Sequence, residues 1–148
     1  MNDSNLKYEW DESERLPIRL ENFLYEVDED FVPSLSSRVN LKEYSHKLSL
    51  NASNLFVTLD GIDVASCSLY CNTSIGYVSS VAVKSEYRRM DIGYKMMQEV
   101  FRYAIENKCK SIQLEVGVNN ISAIAFYESL RFMRKDKNAD SFLMEKEL

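Results

Sequence analysis

Glycine is scarce in this chain of 148 residues: only Gly61, Gly76, Gly93 and Gly117 occur, together with two prolines, Pro17 and Pro33. With so few, each glycine marks a place where the backbone has little alternative. No two lie close enough to build a Walker-type or GxGxxG phosphate loop, so those nucleotide motifs are excluded. Any phosphate bound here must be held by other amides. Cysteine and histidine are equally thin, with Cys67, Cys71, Cys109 and the single His46. That set is too small, and too irregularly spaced, for a zinc cluster or a Cys–His nucleophile. No metal is expected, His46 reads as a helix-surface residue, and the cysteines read as reduced core or near-core residues. No run approaches about eighteen apolar residues, and Met1 to Asn5 lacks the basic-then-apolar pattern of a signal peptide. The expected location is the cytoplasm, with no membrane partner.

Hydrophobic residues make up 45% of the chain and charged residues 28%, a balance that suits one folded domain over residues 1–148. The net charge of −5 is unevenly placed: the first thirty residues carry ten acids against Lys7, Arg15 and Arg19, or −7, leaving +2 for the rest. That distribution argues against a nucleic-acid surface while leaving room for a local basic patch facing a small anion. The acidic end has two readings, a solvated helix face or a field that attracts a cationic amine.

Periodicity divides the chain. Leu16, Leu20, Phe23, Leu24 and Val27 form a helical stripe, with Ser13 a candidate cap and Pro17 tolerable in the first turn. Asn40 with Glu43 makes a capping-box-like start for a second helix, carrying Leu41, Tyr44 and Leu48 and stopping near Asn51. Leu6 to Glu9 is the only candidate for a strand ahead of these helices. The period then shortens: residues 55–59 and 62–70 are rich in β-formers and separated by Asp60-Gly61, a strong hairpin signal, and residues 76–83 supply a third strand. From Asp91 the helical period returns through Ile92, Met96, Met97, Val100, Phe101, Ala104 and Ile105. Residues 111–116 read as a strand, about 120–130 as a helix, and 132–134 with 141–146 as a closing hairpin. Strand, long helix and strand in succession imply a right-handed parallel crossover. The expected class is α/β, a mixed central sheet with an antiparallel N-terminal meander, one parallel βαβ crossover and about four flanking helices.

Two stretches can carry chemistry. Residues 81–94, V-A-V-K-S-E-Y-R-R-M-D-I-G-Y, run from an apolar strand through a basic turn into the long helix. The first amides of such a helix lack internal partners and lie at the positive end of its dipole, so they can hold a pyrophosphate, with Lys84, Arg88 and Arg89 adding charge. Basic residues beside a helix start are also common without any ligand. The second stretch, residues 118–132, reads V-N-N-I-S-A-I-A-F-Y-E-S-L-R-F.

The second stretch resembles the N-x-x-A-I-x-F-Y-E-x-L-G-F segment of the GNAT family of N-acetyltransferases, and the first resembles that family's V-x-P-E-Y-R-G-x-G-I-G motif for acetyl-CoA. The two come in the family's order and spacing, and the resemblance covers roughly residues 76–148. It implies the GNAT fold and transfer of an acetyl group from acetyl-CoA, as acyl donor, to a primary amine by direct attack in a ternary complex. It also implies a placement of roles. Arg88 would be the family's signature arginine at the cofactor, and amides of Arg89, Met90, Asp91, Ile92, Gly93 and Tyr94 would hold the pyrophosphate. Val81, Ala82 and Val83 would face the pantetheine arm, with a strand amide polarising the thioester carbonyl. Asn120 would hydrogen-bond that arm, and Tyr127 would protonate the departing thiolate, its alternative being an aromatic packed in the core.

Departures from the family pattern are specific. Glycine is replaced by Arg89, Asp91 and Arg131. Aspartate is a good N-cap, so Asp91 is expected to turn its carboxylate onto the helix. The usual strand glutamate is replaced by Ser79, followed by Ser80. Glu115, across the expected cleft, is the candidate general base, with a serine-held water as the other route and an ordinary surface carboxylate as the plain reading. The acceptor is expected near Phe31, Leu35, Tyr44, Ser68 or Tyr70. The segment from Phe31 to Arg38 resembles one in small bacterial GNAT proteins, some associated with cell-surface polysaccharide synthesis, which suggests an amino sugar, while a peptide amine or a polyamine stays open. The other class of function is a non-catalytic acyl-CoA-binding or interaction module. The assembly is expected to be a monomer or homodimer.

Overall fold

The computed structural model describes residues 5–88 and 90–148. The strands are β1 (Leu6–Trp10), β2 (Ser53–Leu59), β3 (Ile62–Tyr70), β4 (Ile75–Val83), β5 (Ser111–Gly117), β6 (Met133–Lys137) and β7 (Ser141–Glu147). The helices are α1 (Leu16–Val27), α2 (Leu41–Asn51), α3 (Ile92–Glu106) and α4 (Ile121–Ser129). The seven strands form one sheet in the order β1-β2-β3-β4-β5-β7-β6. Only β4 and β5 run parallel, joined through α3 by the expected crossover.

The candidate first strand is real. β1 pairs with β2 along its whole length, and Trp10 anchors it by stacking on Tyr103 of α3 at 4.0 Å and donating from Nε1 to Glu99 at 3.0 Å. The hairpin between β2 and β3 turns at Asp60 and Gly61, both at positive φ (51° and 81°), as a two-residue turn matched to strand twist requires. Asn40 caps α2 by accepting from the Glu43 amide at 3.0 Å. By contrast α1 has Arg15 at its N-cap and no side-chain cap; the Ser13 hydroxyl, two residues before that position, accepts from the Arg15 amide at 3.3 Å.

Helices cover both faces of the sheet. One cluster packs α3 and part of α4 against Leu55, Val57, Cys67 and Ile112. The other packs α1 and α2 against Phe56 and Ala82. Alternation along β2 explains the division, since Leu55 and Val57 point one way and Phe56 the other. Burying these stripes at about 25 cal/mol per Å² of apolar area is the main stabilising force.

The sheet splits where the site lies. β4 pairs with β5 only from Ile75–Ser111 to Val78–Leu114. Opposite β3, register passes from Ser68–Ser80 to Leu69–Val78, leaving Ser79 as an extra residue. Such a bulge bends its strand and resets its alternation. This is why Val78, Val81 and Val83 all reach the α3 side although the first two lie an odd three positions apart. Beyond it, residues 79–83 of β4 and 115–117 of β5 diverge, leaving main-chain groups unpaired between them.

Candidate active site

The divergence opens a cavity of about 800 Å³. Its walls bring together most of the residues singled out from sequence: β4 residues 81–83, Arg88, residues 91–94 at the start of α3, Glu115 of β5, Asn120 and Tyr127 of α4. Met90 does not line it; the side chain packs against the core instead. Arg89 lies outside the described residues.

The start of α3 is an open anion site. The first intrahelical bond is donated by Lys95 to the Asp91 carbonyl at 3.0 Å, so the amides of Ile92, Gly93 and Tyr94 have no helical partner. Nor does Asp91 satisfy them, which corrects the capping expectation. Its backbone is left-handed (φ 57°, ψ 21°) and its side chain makes no cap hydrogen bond. A capping residue needs an extended backbone to swing its oxygen over the second and third amides, and the left-handed conformation points it elsewhere. Gly93 answers a different demand. A Cβ there would lie 3.3 Å from Phe126 Cζ and 3.6 Å from a methyl of Val83, so its absence lets α3 start tightly against α4 and β4. Ile92 is buried, leaving only its main chain for a ligand.

The basic turn is less basic than its sequence. Lys84 continues the face of β4 that carries Ala82 and points toward α1, where Nζ lies 2.8 Å from Glu26 and over the Phe23 ring. It contributes no charge to the cavity. Arg88 does line it; Nε donates to the Val83 carbonyl at 3.2 Å, and the guanidinium lies 3.4 Å from Asp30. In the acidic N-terminal region Arg19 holds Glu9 and Asp11, together with Asp63 of β3, at 2.7–2.9 Å.

Tyr127 packs between Phe126 and Phe132, with ring centroids 5.4 and 5.6 Å away. Its hydroxyl has no hydrogen-bond partner among the described residues. Burial, with Cys67 nearby, pushes the phenol well above its ordinary range, so it stays protonated. Asn120 caps α4 by accepting from the Ala123 amide at 3.3 Å through Oδ1, which leaves Nδ2 to donate into the cavity. Glu115 is exposed at the opposite side and accepts from the Ser141 hydroxyl at 3.2 Å.

Sequence reasoning missed two neighbours. Tyr77 lies beside Glu115, and burial first, then that carboxylate, raise its phenol. Arg38 lines both the main cavity and an adjoining groove of about 700 Å³ that runs to Asp140. Tyr77 pairs opposite Gln113, two residues before Glu115, a register that sequence alone does not show, and Arg38 stood in sequence only as the end of the Phe31 to Arg38 segment. Of the expected acceptor residues, Phe31, Leu35 and Tyr44 line the cavity. Tyr44 hydrogen-bonds Ser79, its hydroxyl 2.5 Å from Oγ and 3.2 Å from the carbonyl. Ser68 and Tyr70 do not line it, and the Ser68 hydroxyl is occupied in donating to Asn54 at 2.6 Å.

Comparison with known proteins decides the family. The sequence model of the acetyltransferase (GNAT) family matches residues 20–132. The chain belongs to that family. N-alpha-acetyltransferase 30 of Xenopus laevis is 37% identical over 59 residues, which are 40% of this chain but only 22% of that protein. An uncharacterised N-acetyltransferase of Archaeoglobus fulgidus is 28% identical over 129 residues, covering 73% of this chain and 88% of the other. Among solved GNAT structures, Ard1 from Thermoplasma volcanium superposes with a TM-score of 0.82 over 97% of this chain and 98% of that one, at 18% identity. The PaiA N-acetyltransferase from Thermoplasma acidophilum, crystallised with coenzyme A, gives 0.79 over 97% and 99% at 16%. This GNAT chain thus has the sheet and helix arrangement expected from its sequence.

Proposed function

We propose that this GNAT domain, spanning residues 1–148, transfers the acetyl group of acetyl-CoA to a primary amine by direct attack in a ternary complex. The supporting observation is that the unpaired strand ends, the open amides of α3, a protonated Tyr127 and an accessible Glu115 share one cavity. The open amides and the close approach at Gly93 suit a pyrophosphate, and the unpaired main chain of residues 81–83 suits an amide-bearing arm. Bound acetyl-CoA would supply an activated thioester.

The residues then have separate tasks. Glu115, directly or through water, takes the proton that an ammonium must lose before it can attack. A main-chain amide of β4 polarises the acyl oxygen. Tyr127, kept neutral by burial, gives its proton to the departing sulfur. No cysteine lines the cavity among the described residues, and burial raises the Cys67 thiol to about 12. A covalent acyl-cysteine route therefore has no nucleophile at hand.

The N-alpha-acetyltransferase relatives support a peptide amine as acceptor over the region they match, and an amino sugar is the other candidate. The groove of about 700 Å³ that continues past Arg38 toward Asp140 offers space for residues beyond the reacting amine. No described helix is long and apolar enough to cross a membrane. We take the protein to act in the cytoplasm as a monomer or homodimer. Acetyl-CoA titration by calorimetry, followed by thiol release over peptides, amino sugars and polyamines, tests this reading. Binding with turnover supports it. Binding without turnover on any amine favours a non-catalytic acyl-CoA-binding module, to which the carboxylate at Asp91 lends some weight.

A further inference from the structure

Two of the cysteines stand outside the proposed reaction but not apart from each other. Cys71 follows β3, and Cys109 lies between α3 and β5, yet their sulfurs are 2.7 Å apart, closer than the roughly 3.5–4.0 Å at which even unbonded carbons settle. Both are free thiols. The two segments are fastened around them: the Lys110 amide donates to the Ser74 carbonyl at 2.7 Å, and Cys109 Sγ approaches the Thr73 carbonyl at 3.5 Å. A disulfide needs the sulfurs to close to about 2.05 Å, a small movement from here. Cys67 is fully buried on β3 and is not part of this pair.

We propose that Cys71 and Cys109 are an oxidative modification site that closes to an intramolecular disulfide on exposure to a peroxide. Cys71 is the entry point because it is partly exposed, whereas Cys109 is 5% exposed. Its thiolate attacks one peroxide oxygen, the O–O bond breaks, and the other oxygen leaves as water after protonation, giving a sulfenic acid. The Cys109 sulfur then attacks the Cys71 sulfur and displaces the hydroxyl as a second water, forming the S–S bond. Two thiols are oxidised, one hydrogen peroxide is reduced to two waters, and both thiol protons end in water. Burial and the adjacent thiol hold Cys71 above its ordinary range, so the first step is slow.

The link would fasten the paired end of β4 and β5, next to Ile75–Ser111, and neither cysteine lines the cavity at the diverging end. Oxidation therefore stabilises the fold while leaving the proposed site accessible. The inference does not rest on the catalytic reading, and its readouts are separate from it. The full chain is treated with hydrogen peroxide, digested without reduction and mapped by mass spectrometry, with melting followed in parallel. The expected result is a Cys71–Cys109 linked peptide, loss of two hydrogens per chain, and a melting point raised by roughly 10 °C, all reversed by dithiothreitol. Cys67→Ser should still form the link and Cys71→Ser should not. A Cys71 that proceeds to sulfinic acid, a link involving Cys67, or only intermolecular disulfides would overturn the proposal, even if every variant folded poorly.

Discussion

Asp91 and Arg131 share one backbone conformation: both are left-handed, with φ of 57° and 73°. They begin α3 and follow α4, and both stand where the resembling GNAT motifs have glycine. A side chain there is strained because its Cβ crowds the adjoining carbonyl, by about 1–2 kcal/mol for most residues and less for aspartate.

Arg131→Gly should stabilise the fold by about 1 kcal/mol, a rise of roughly 2–4 °C in melting temperature. Arg131 is exposed and lines no part of the cavity, so coenzyme A affinity should not change. Thermal melting with and without coenzyme A checks both statements.

Asp91→Gly should act on affinity. The relief of strain is offset by loss of a carboxylate at the positive end of a helix, leaving stability within about 1 kcal/mol of the parent. Removing that charge from beside a pyrophosphate should tighten coenzyme A binding about 2- to 5-fold by calorimetry.

Tyr127→Phe removes the unpartnered hydroxyl and keeps the ring between Phe126 and Phe132. Turnover should fall by about 100-fold or more with coenzyme A affinity nearly unchanged, the mark of a group used only as the sulfur departs. Steady-state thiol release, read against calorimetric binding, separates this from a packing defect.

Glu115→Gln should lower kcat/KM about 100-fold at neutral pH while leaving the fold intact, since Glu115 is exposed and its described bond is to Ser141. The loss should shrink as pH rises, because the acceptor amine then arrives already deprotonated. A pH series of initial rates for both proteins shows whether they converge.

Sequence showed the elements with strong periods and the turn with strong chemistry: the stripes of α1 to α3, the Asn40 cap and the Asp60-Gly61 hairpin. β1 was faint because Lys7, Tyr8 and Glu9 are all exposed on an edge strand, and its anchor, Trp10 on Tyr103, is a long-range contact. The direction of Lys84 was lost for a related reason. Proximity in sequence to Arg88 says nothing of the strand face that Lys84 shares with Ala82, and that face meets Glu26. The Ser79 bulge, which opens the cavity, depends on register against β3 and leaves no local mark. Asp91 was read as a cap because aspartate favours caps, whereas its backbone is left-handed and its side chain makes no cap hydrogen bond. Most site residues were legible only because two degenerate motifs stood in order; Tyr77, Arg38 and the Cys71–Cys109 pair needed the fold.

Acetyl transfer to an amine is measured as thiol release from acetyl-CoA in the presence of a panel of amines, with the acetylated product confirmed by mass spectrometry. The expected result is thiol release that depends on the amine, yields N-acetylated product in equal amount, and nearly vanishes in Tyr127→Phe. Coenzyme A that fails to bind at all, or binding without turnover on any amine, would contradict it, and full turnover in Tyr127→Phe would remove Tyr127 from the acid role.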